Sequence, residues 1–390
     1  MGEARPLCVM LVAAEASGDA LGARLAAAIR ARLGDKVRFI GVGGDQMAAQ
    51  GVLSPFDITQ LSVLGLVEGL AAYPRVVARV RETLDLARRE KPDIAVLIDS
   101  WGFTLRVARG LKRQTPALPV IKYVGPQVWA SRPGRAAVLA ATVDHLLTIH
   151  AFDAPLFEAH GLRTTFVGNP VLARRFPAAD PQALRSRLGA APDAPVLLVA
   201  PGSRPSEIAR MAGPFGEAVD RLARHHPGLE VVVPVAATVA PAVRAAAQSW
   251  KARVTLIDDP ASKDLAMASA DVALACSGTV TTELAMAGPP VVVGYRIGGL
   301  SYAILKRLVR TPWISLVNIA AGRMVMPEFI QHACTGERLS QAVGALLADP
   351  AARADQAAQQ QQALLQMGRG GPDPSEAAAN VVLALAGERA

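Results

Sequence analysis

Val272-Ala273-Leu274-Ala275, followed by Ser277-Gly278-Thr279-Val280-Thr281-Thr282-Glu283, is the stretch whose reading decides the fold. An apolar run that gives way to small hydroxylated residues and glycine, then to a helical pattern with a carboxylate one turn in, reads as strand, tight turn and helix N-terminus. A helix start leaves backbone N–H groups without intrahelical partners and carries the positive end of the helix dipole, which suits a diphosphate. Thr279 and Glu283 share one helix face, so Glu283 is placed to accept hydrogen bonds from a ribose while the turn holds phosphates. The same run also reads as a plain strand–helix connection with Ser277 or Thr279 as N-cap, and the rest of the chain decides between the two.

Outward from this stretch the same unit repeats. In the first half, apolar runs at 7–14, 37–42, 94–98, 120–123 and 145–149 alternate with helical patterns at 20–32, 76–89, 104–112 and 135–141. In the second half, strands are expected at 196–200, 230–234, 254–257, 272–275 and 291–293. This alternation predicts an α/β fold of parallel sheets covered by helices, with functional loops at the C-terminal ends of the strands. Pro177, Pro181, Pro192 and Pro195 punctuate a polar, alanine-rich segment, so 173–195 is the expected linker between a first lobe at 1–172 and a second at 196–366. Two lobes so joined predict a ligand cleft between them. The Gln-rich segment 356–366 is expected to be helical and to break at 368–372. Within 367–390, Asp373, Pro374 and Glu376 then open a last helix running through Ala386.

At 390 residues the chain exceeds one ordinary core, and 51% hydrophobic content with only 4% aromatic suits helices on buried parallel strands. A net charge of +8 favours an anionic partner: a phosphorylated substrate or an acidic membrane surface. Nucleic acid is not expected, because zinc-finger spacing, stacking aromatics of the RNA-binding type and long Lys/Arg blocks are missing. The three cysteines, Cys8, Cys276 and Cys334, are far apart, and none of the six histidines has metal-ligand spacing. Neither a disulfide framework nor a metal site is therefore expected. The run 7–14 with Ala14-Glu15-Ala16 imitates a signal peptide, but Glu3 offsets Arg5 and the run is short, so it is read as a first strand. No apolar run reaches the roughly 20 residues of a membrane-spanning helix.

Further constellations follow from the strand ends. Pro201-Gly202-Ser203-Arg204 comes directly after the first strand of the second half, with Glu207 and Arg210 on the helix beyond. Glycine lets backbone approach an anion, and an arginine at that mouth can pair with a diphosphate through two bonds; the same residues also read as a turn with a surface arginine. In the first half, Glu15, Ser17, Gly18 and Asp19 form an acidic strand–helix junction suited to sugar hydroxyls. Gly41-Val42-Gly43-Gly44 lacks the third glycine of a dinucleotide fingerprint and reads as a turn. Asp99 ends a strand and is the candidate base for deprotonating a hydroxyl nucleophile, although aspartate at a strand end also serves as a cap. Two stretches read either as core helix with a solvated basic face or as lipid-facing: 61–70, with Val63, Leu64, Leu66 and Val67, and the basic helical pattern 301–313, with Leu305, Arg307 and Trp313.

Taken together, these residues resemble the lipid-A-disaccharide synthases. The matching segments are AAEASGD (13–19), GVGG (41–44), LSVLGLVE (61–68), KPDIAVLID (91–99), YVGPQVWA (123–130), APGSRPSEI (200–208), ACSGTVTTELAM (275–286), VVVGYR (291–296), LVNIAAGR (316–323) and PEFIQ (327–331). The resemblance implies GT-B architecture: two Rossmann-like parallel-sheet lobes facing a central cleft, with the final helix crossing back to the first lobe. It implies transfer from UDP-2,3-diacylglucosamine to 2,3-diacylglucosamine 1-phosphate, with inversion to a β-1,6-linked disaccharide 1-phosphate, release of UDP and no covalent sugar intermediate. Asp99 then takes the place of the base. Arg204, the Thr279 helix terminus and Asn318 would neutralise charge on UDP, Glu283 would hold the ribose, and Gln127 joins the acceptor side. No cofactor or metal is implied.

The chain departs from the family pattern at two points. Gly102 stands where many members carry a second acidic residue, and Asn169 stands in place of a histidine, so neither is given an acid–base role. Acylated substrates and the positive charge together imply peripheral association with the cytoplasmic face of an anionic inner membrane. A hinge at 368–372 would permit a swapped homodimer. The competing readings are another UDP-sugar transferase or epimerase on the same fold, a two-lobed binding protein, and a nicotinamide-dependent oxidoreductase.

Overall fold

The sequence's apolar runs become the central strands of two six-stranded, all-parallel sheets in a computed structural model that describes residues 5–61, 66–298, 302, 309 and 311–387. The chain divides into two compact units, 1–170 with 370–390, and 171–369. In the first unit the strands are β1 (Leu7–Ala13), β2 (Val37–Val42), β3 (Ile94–Ile98), β4 (Val120–Tyr123), β5 (His145–Thr148) and β6 (Arg163–Phe166), in the order β2-β1-β3-β4-β5-β6. Strand β1 shows why the sheet forms. Cys8, Met10 and Val12 enter one hydrophobic cluster while Val9, Leu11 and Ala13 enter the other, and all six are 0% exposed. A strand buried on both faces needs such a continuous apolar run, and helices on either side supply the cover. Gly41 is required where β2 meets β1: its φ is +146°, and a Cβ there would lie 1.7 Å from the Leu11 carbonyl oxygen.

The second unit holds β7 (Val196–Ala200), β8 (Glu230–Pro234), β9 (Val254–Ile257), β10 (Val272–Cys276), β11 (Val291–Tyr295) and β12 (Glu328–Ile330), in the order β12-β11-β10-β7-β8-β9. Val272, Leu274 and Cys276 of β10 again face one cluster, and Ala273 and Ala275 the other. Each sheet therefore has one place where the chain reverses its direction of travel across the strands: between β1 and β3 in the first unit, and between β7 and β10 in the second. Ligands of open α/β sheets bind above such switch points, at the strand C-terminal ends.

Several expected boundaries shift. Strands β6 and β12 escape the sequence reading because both are short, half-exposed edge strands whose residues (Arg-Thr-Thr-Phe and Glu-Phe-Ile) lack an apolar run. The helix expected from Val76 starts ten residues earlier, spanning Leu66–Glu90 with Pro74 inside it. Within 173–195 lies the helix Pro181–Leu188, capped by the Asp180 side chain and packed in the second unit. Its Arg185 pairs with Asp271 at 2.8 Å and donates to the Ala194 carbonyl. The Gln-rich segment is the helix Pro350–Gln366, and two of its glutamines are buried for a reason. Gln360 accepts from the Val291 N–H and donates to the Pro289 carbonyl, while Gln356 donates to the Val291 carbonyl, so both satisfy the entry to β11. The closing helix, Pro374–Gly387, is capped by Asp373 and packs in the first unit on the helix Ala16–Leu33, where Arg32 engages Glu376 and Asn380.

Candidate functional site

In the second unit the switch point between β7 and β10 opens into a cavity of about 450 Å³. The loop after β7 contributes Gly202 and Ser203, and the turn after β10 contributes Ser277, Gly278 and Thr279. The helix Thr279–Ala287 starts from Gly278, which has no side chain to cap it, and the Thr281 hydroxyl donates to the Gly278 carbonyl at 2.8 Å. Its first N–H groups therefore meet the cavity without a side-chain acceptor, and Glu283 lines the same cavity one turn further on. The backbone of Gly202 has φ +141°, and a Cβ there would meet the Glu207 Cβ at 2.8 Å. Only glycine passes the chain this close to the helix that follows.

Three features of this cavity were not visible in the motifs. Glu207 is buried and reaches back to the Ser203 N–H at 3.1 Å and to Arg204 at 3.0 Å, so an internal carboxylate already occupies the turn expected to hold phosphate. Arg204 itself is 73% exposed and is not among the cavity-lining residues. The cation that does line the cavity beside Glu283 is Arg174, which bridges Glu283 at 2.5 Å and Asp264 at 2.6 Å and stacks over Phe176. Lys263 adds a second positive charge to the wall. Asn318 does not join them. It is 0% exposed, donates to the Met326 carbonyl and the Glu328 carboxylate, and accepts from the Val325 and Met326 N–H groups. Both amide atoms are thus committed to folding the loop 322–328, and none is left for a ligand.

In the first unit the switch point lies between β1 and β3, and the residues that follow these strands are Glu15 and Asp99. They are close enough for their charges to interact: partial burial, and then the Asp99 charge, hold the Glu15 carboxyl above its ordinary range. Asp99 and Ser100 both have left-handed backbone, at φ +46° and +42°, and Val124, just after β4, is at +66°. Left-handed conformations at non-glycine residues are costly and cluster where function requires a particular geometry. The Asp99 N–H bonds the Tyr123 carbonyl at 2.8 Å, and its carbonyl receives the Nζ of the buried Lys122.

The rest of the acidic junction divides. Asp19 is 4% exposed and its carboxylate accepts from the N–H groups of Gly44, Gln46 and Met47 at 2.8, 3.0 and 3.0 Å. It therefore anchors the short helix Asp45–Ala48 behind the GVGG turn, a structural role in place of the expected sugar contact. Gly18 is buried against Ala13 and Ile98, whereas Glu15, Ser17 and Gln127 are exposed. Beyond β5 lies a ring stack that the motifs did not announce. His150 stacks on Phe152, and Trp129 meets Phe152 edge-on. Burial pushes His150 down to about 4, and its Nδ1 has no hydrogen-bond partner. Burial also pushes Asp153 up to about 7, with the Trp129 indole, close but outside hydrogen-bond geometry, opposing the rise.

The expected lipid-facing residues are described only in part. Val63, Leu64, Leu305 and Arg307 lie outside the described residues. Leu66 and Val67 open the helix Leu66–Glu90. Trp313 is not helical: its N–H bonds the Thr311 hydroxyl in an irregular segment just before the Ser315-capped helix Leu316–Ala321. No described helix is long and apolar enough to cross a membrane.

Comparison with known proteins adds to this geometry. A family model for lipid-A-disaccharide synthetase matches residues 9–381. The lipid-A-disaccharide synthase of Paramagnetospirillum magneticum is 44% identical over 379 residues, covering 97% of each chain. That of Rhodospirillum centenum is 44% identical over 380 residues, covering 97% of this chain and 94% of the relative. Among solved structures, MurG of Acinetobacter baumannii superposes with a TM-score of 0.60 at 17% identity, covering 97% of this chain and all of that one, a likeness of fold alone. The architecture is GT-B, and the chain belongs to the lipid-A-disaccharide synthase family of glycosyltransferases.

Proposed function

We propose that the chain transfers the sugar of UDP-2,3-diacylglucosamine to the 6-hydroxyl of 2,3-diacylglucosamine 1-phosphate, releasing UDP and leaving a β-1,6-linked disaccharide 1-phosphate. The observation that carries this reading is that the residues matching the family's motifs fall at the two switch points: Gly202, Ser203, Gly278, Thr279 and Glu283 around one cavity, and Glu15 and Asp99 at the other sheet's edge. In the mechanism, Asp99 takes the proton of the acceptor hydroxyl as that oxygen attacks the anomeric carbon from the face opposite UDP, so the anomeric configuration inverts. The leaving diphosphate gains negative charge, which the helix N-terminus at Thr279, the Gly202 loop and the cavity cations Arg174 and Lys263 stabilise. Glu283 orients the ribose. Arg204, exposed and paired with Glu207 through Nη1, has further N–H donors to offer the diphosphate. Helix dipole and side-chain cations supply the neutralisation in this scheme, and it includes no metal.

The acyl chains of both substrates and the net charge of +8 support peripheral binding to an anionic membrane surface. Flotation with anionic liposomes tests it, and retention in the soluble fraction at low salt overturns it. The reaction is tested with both purified substrates in detergent plus EDTA, following disaccharide phosphate and UDP by mass spectrometry, with Asp99→Ala in parallel. Product from the wild type and a loss of roughly 100-fold or more in the variant are expected. UDP release only with a different acceptor would overturn the substrate assignment while sparing the nucleotide site.

A further inference from the structure

Lys122 is a charged residue in the middle of a buried strand, β4, and is 3% exposed. It shares an apolar enclosure with Leu97, Leu105, Leu139 and Val143. Its Nζ donates to two acceptors: the backbone carbonyl of Asp99, and the Thr104 hydroxyl at 2.8 Å. Thr104 Oγ1 in turn sits 2.8 Å from the Asp99 carbonyl and 2.9 Å from the Ser100 carbonyl, and the Thr104 N–H bonds the Ser100 carbonyl at 3.0 Å. The lysine and threonine thus converge on the carbonyls of the two consecutive residues whose backbone is left-handed.

Burying an ammonium group among aliphatic side chains is costly unless it is well paired, and here its partners are neutral oxygens. The surroundings respond as expected: burial pushes Lys122 down to about 7, with the Asp99 charge opposing. Methionine would fill the same space without that desolvation cost. What methionine cannot do is donate two hydrogen bonds beneath the turn. Without them, the Asp99 carbonyl keeps only the Thr104 hydroxyl, which it shares with the Ser100 carbonyl, and the weaker hold favours relaxation of Asp99 and Ser100 toward ordinary backbone, which would redirect the Asp99 carboxylate.

We propose that Lys122 is a positioning residue for the reaction: through the Asp99 carbonyl and the Thr104 hydroxyl it holds the left-handed Asp99–Ser100 turn that sets the direction of the Asp99 carboxylate. The inference rests on the reading of Asp99 as the base. It differs from a purely structural role in what it predicts for kinetics. A core residue affects the amount of folded enzyme, whereas a residue that aims the base affects kcat and leaves donor binding alone.

The test compares wild type, Lys122→Met, Lys122→Gln, Lys122→Met with Ser100→Gly, and Asp99→Ala, all full-length. It measures kcat, the KM for the UDP-sugar, UDP affinity by calorimetry and the urea midpoint. Lys122→Met is expected to lower kcat roughly 10- to 100-fold, the usual consequence of a small misplacement at a reacting centre, with donor KM and UDP affinity within about twofold of wild type. Lys122→Gln, which keeps a neutral donor, should retain more activity. Ser100→Gly should recover part of the loss in the methionine background, because glycine holds positive φ without strain. If Lys122→Met fails to fold, Lys122→Gln carries the comparison, and misfolding of both would overturn the proposal by making the lysine a folding element. Wild-type kcat in Lys122→Met beside an inactive Asp99→Ala overturns the role of Lys122 alone. Wild-type turnover in Asp99→Ala overturns the reading of Asp99 and the inference with it.

Discussion

Arg174→Ala is the change expected to separate recognition of the diphosphate from recognition of the nucleoside. The cavity wall carries three carboxylates, Glu207, Asp264 and Glu283, against two cations, Arg174 and Lys263. Removing Arg174 leaves one cation facing those three acids and a dianionic ligand, and it frees Glu283 from the ion pair at 2.5 Å that holds it. The guanidinium side chain is 39% exposed, so solvent screens it substantially. With an effective dielectric of about 40–80 and a separation of about 6 Å, one unit charge contributes about 0.7–1.4 kcal/mol, or about 1.4–2.8 kcal/mol for two phosphate charges. UDP affinity should therefore fall about 10- to 100-fold, and the loss should shrink as salt rises. Titration calorimetry with UDP and with uridine checks this. Uridine lacks the phosphates, so it loses only what the freed Glu283 costs in ribose binding and should weaken clearly less than UDP. Unchanged UDP affinity, or equal weakening of UDP and uridine, would refute the argument.

Two further predictions concern stability. Asp19→Ala removes the acceptor for three backbone N–H groups at the start of the helix Asp45–Ala48, and should destabilise the first unit by about 2–4 kcal/mol in urea unfolding. The exposed neighbour Ser17→Ala should stay within about 0.5 kcal/mol of wild type. The second prediction concerns pH. His150 is lowered from 6.5 to about 4, so between these values the unfolded chain binds the extra proton and stability rises with pH. Asp153 is raised from 3.8 to about 7, so over that range the folded chain binds the extra proton and stability falls as pH rises. Each alone gives a slope of up to about 1.4 kcal/mol per pH unit, and together they oppose one another in the shared window. His150→Phe should therefore make stability fall from pH 4.5 to pH 6.5, and Asp153→Asn should make it rise. Parallel pH profiles in the two variants would contradict both assignments.

The sequence by itself determined the class of fold and the location of the candidate sites. Runs such as Val272–Cys276 and Leu7–Ala13 are apolar at every position, and a strand of that kind is stable only inside a sheet covered on both faces. Glycine and hydroxylated residues immediately after such runs mark turns at strand C-terminal ends, which is where Gly202, Gly278, Glu15 and Asp99 are found. The edge strands β6 and β12 were illegible because an edge position does not require an apolar run. The partnerships within the sites were illegible for a different reason. Asp19 and Asn318 sit in motifs that look ligand-facing, yet tertiary packing turns their polar atoms onto backbone groups 25 and 8 residues away that would otherwise be unsatisfied. Arg174 stands in the segment expected as a linker, and only the fold carries it 109 residues along the chain to Glu283. Lys122 did leave a trace, as a lone charge in the run Val-Ile-Lys-Tyr, but that trace shows only that something must satisfy the ammonium. What satisfies it, the carbonyl of a left-handed Asp99, follows from strand order, because β3 and β4 are neighbours in the sheet. Local periodicity is set by each residue and its near neighbours, whereas charge partners are chosen by strand order and packing, and these exist only once the chain has folded.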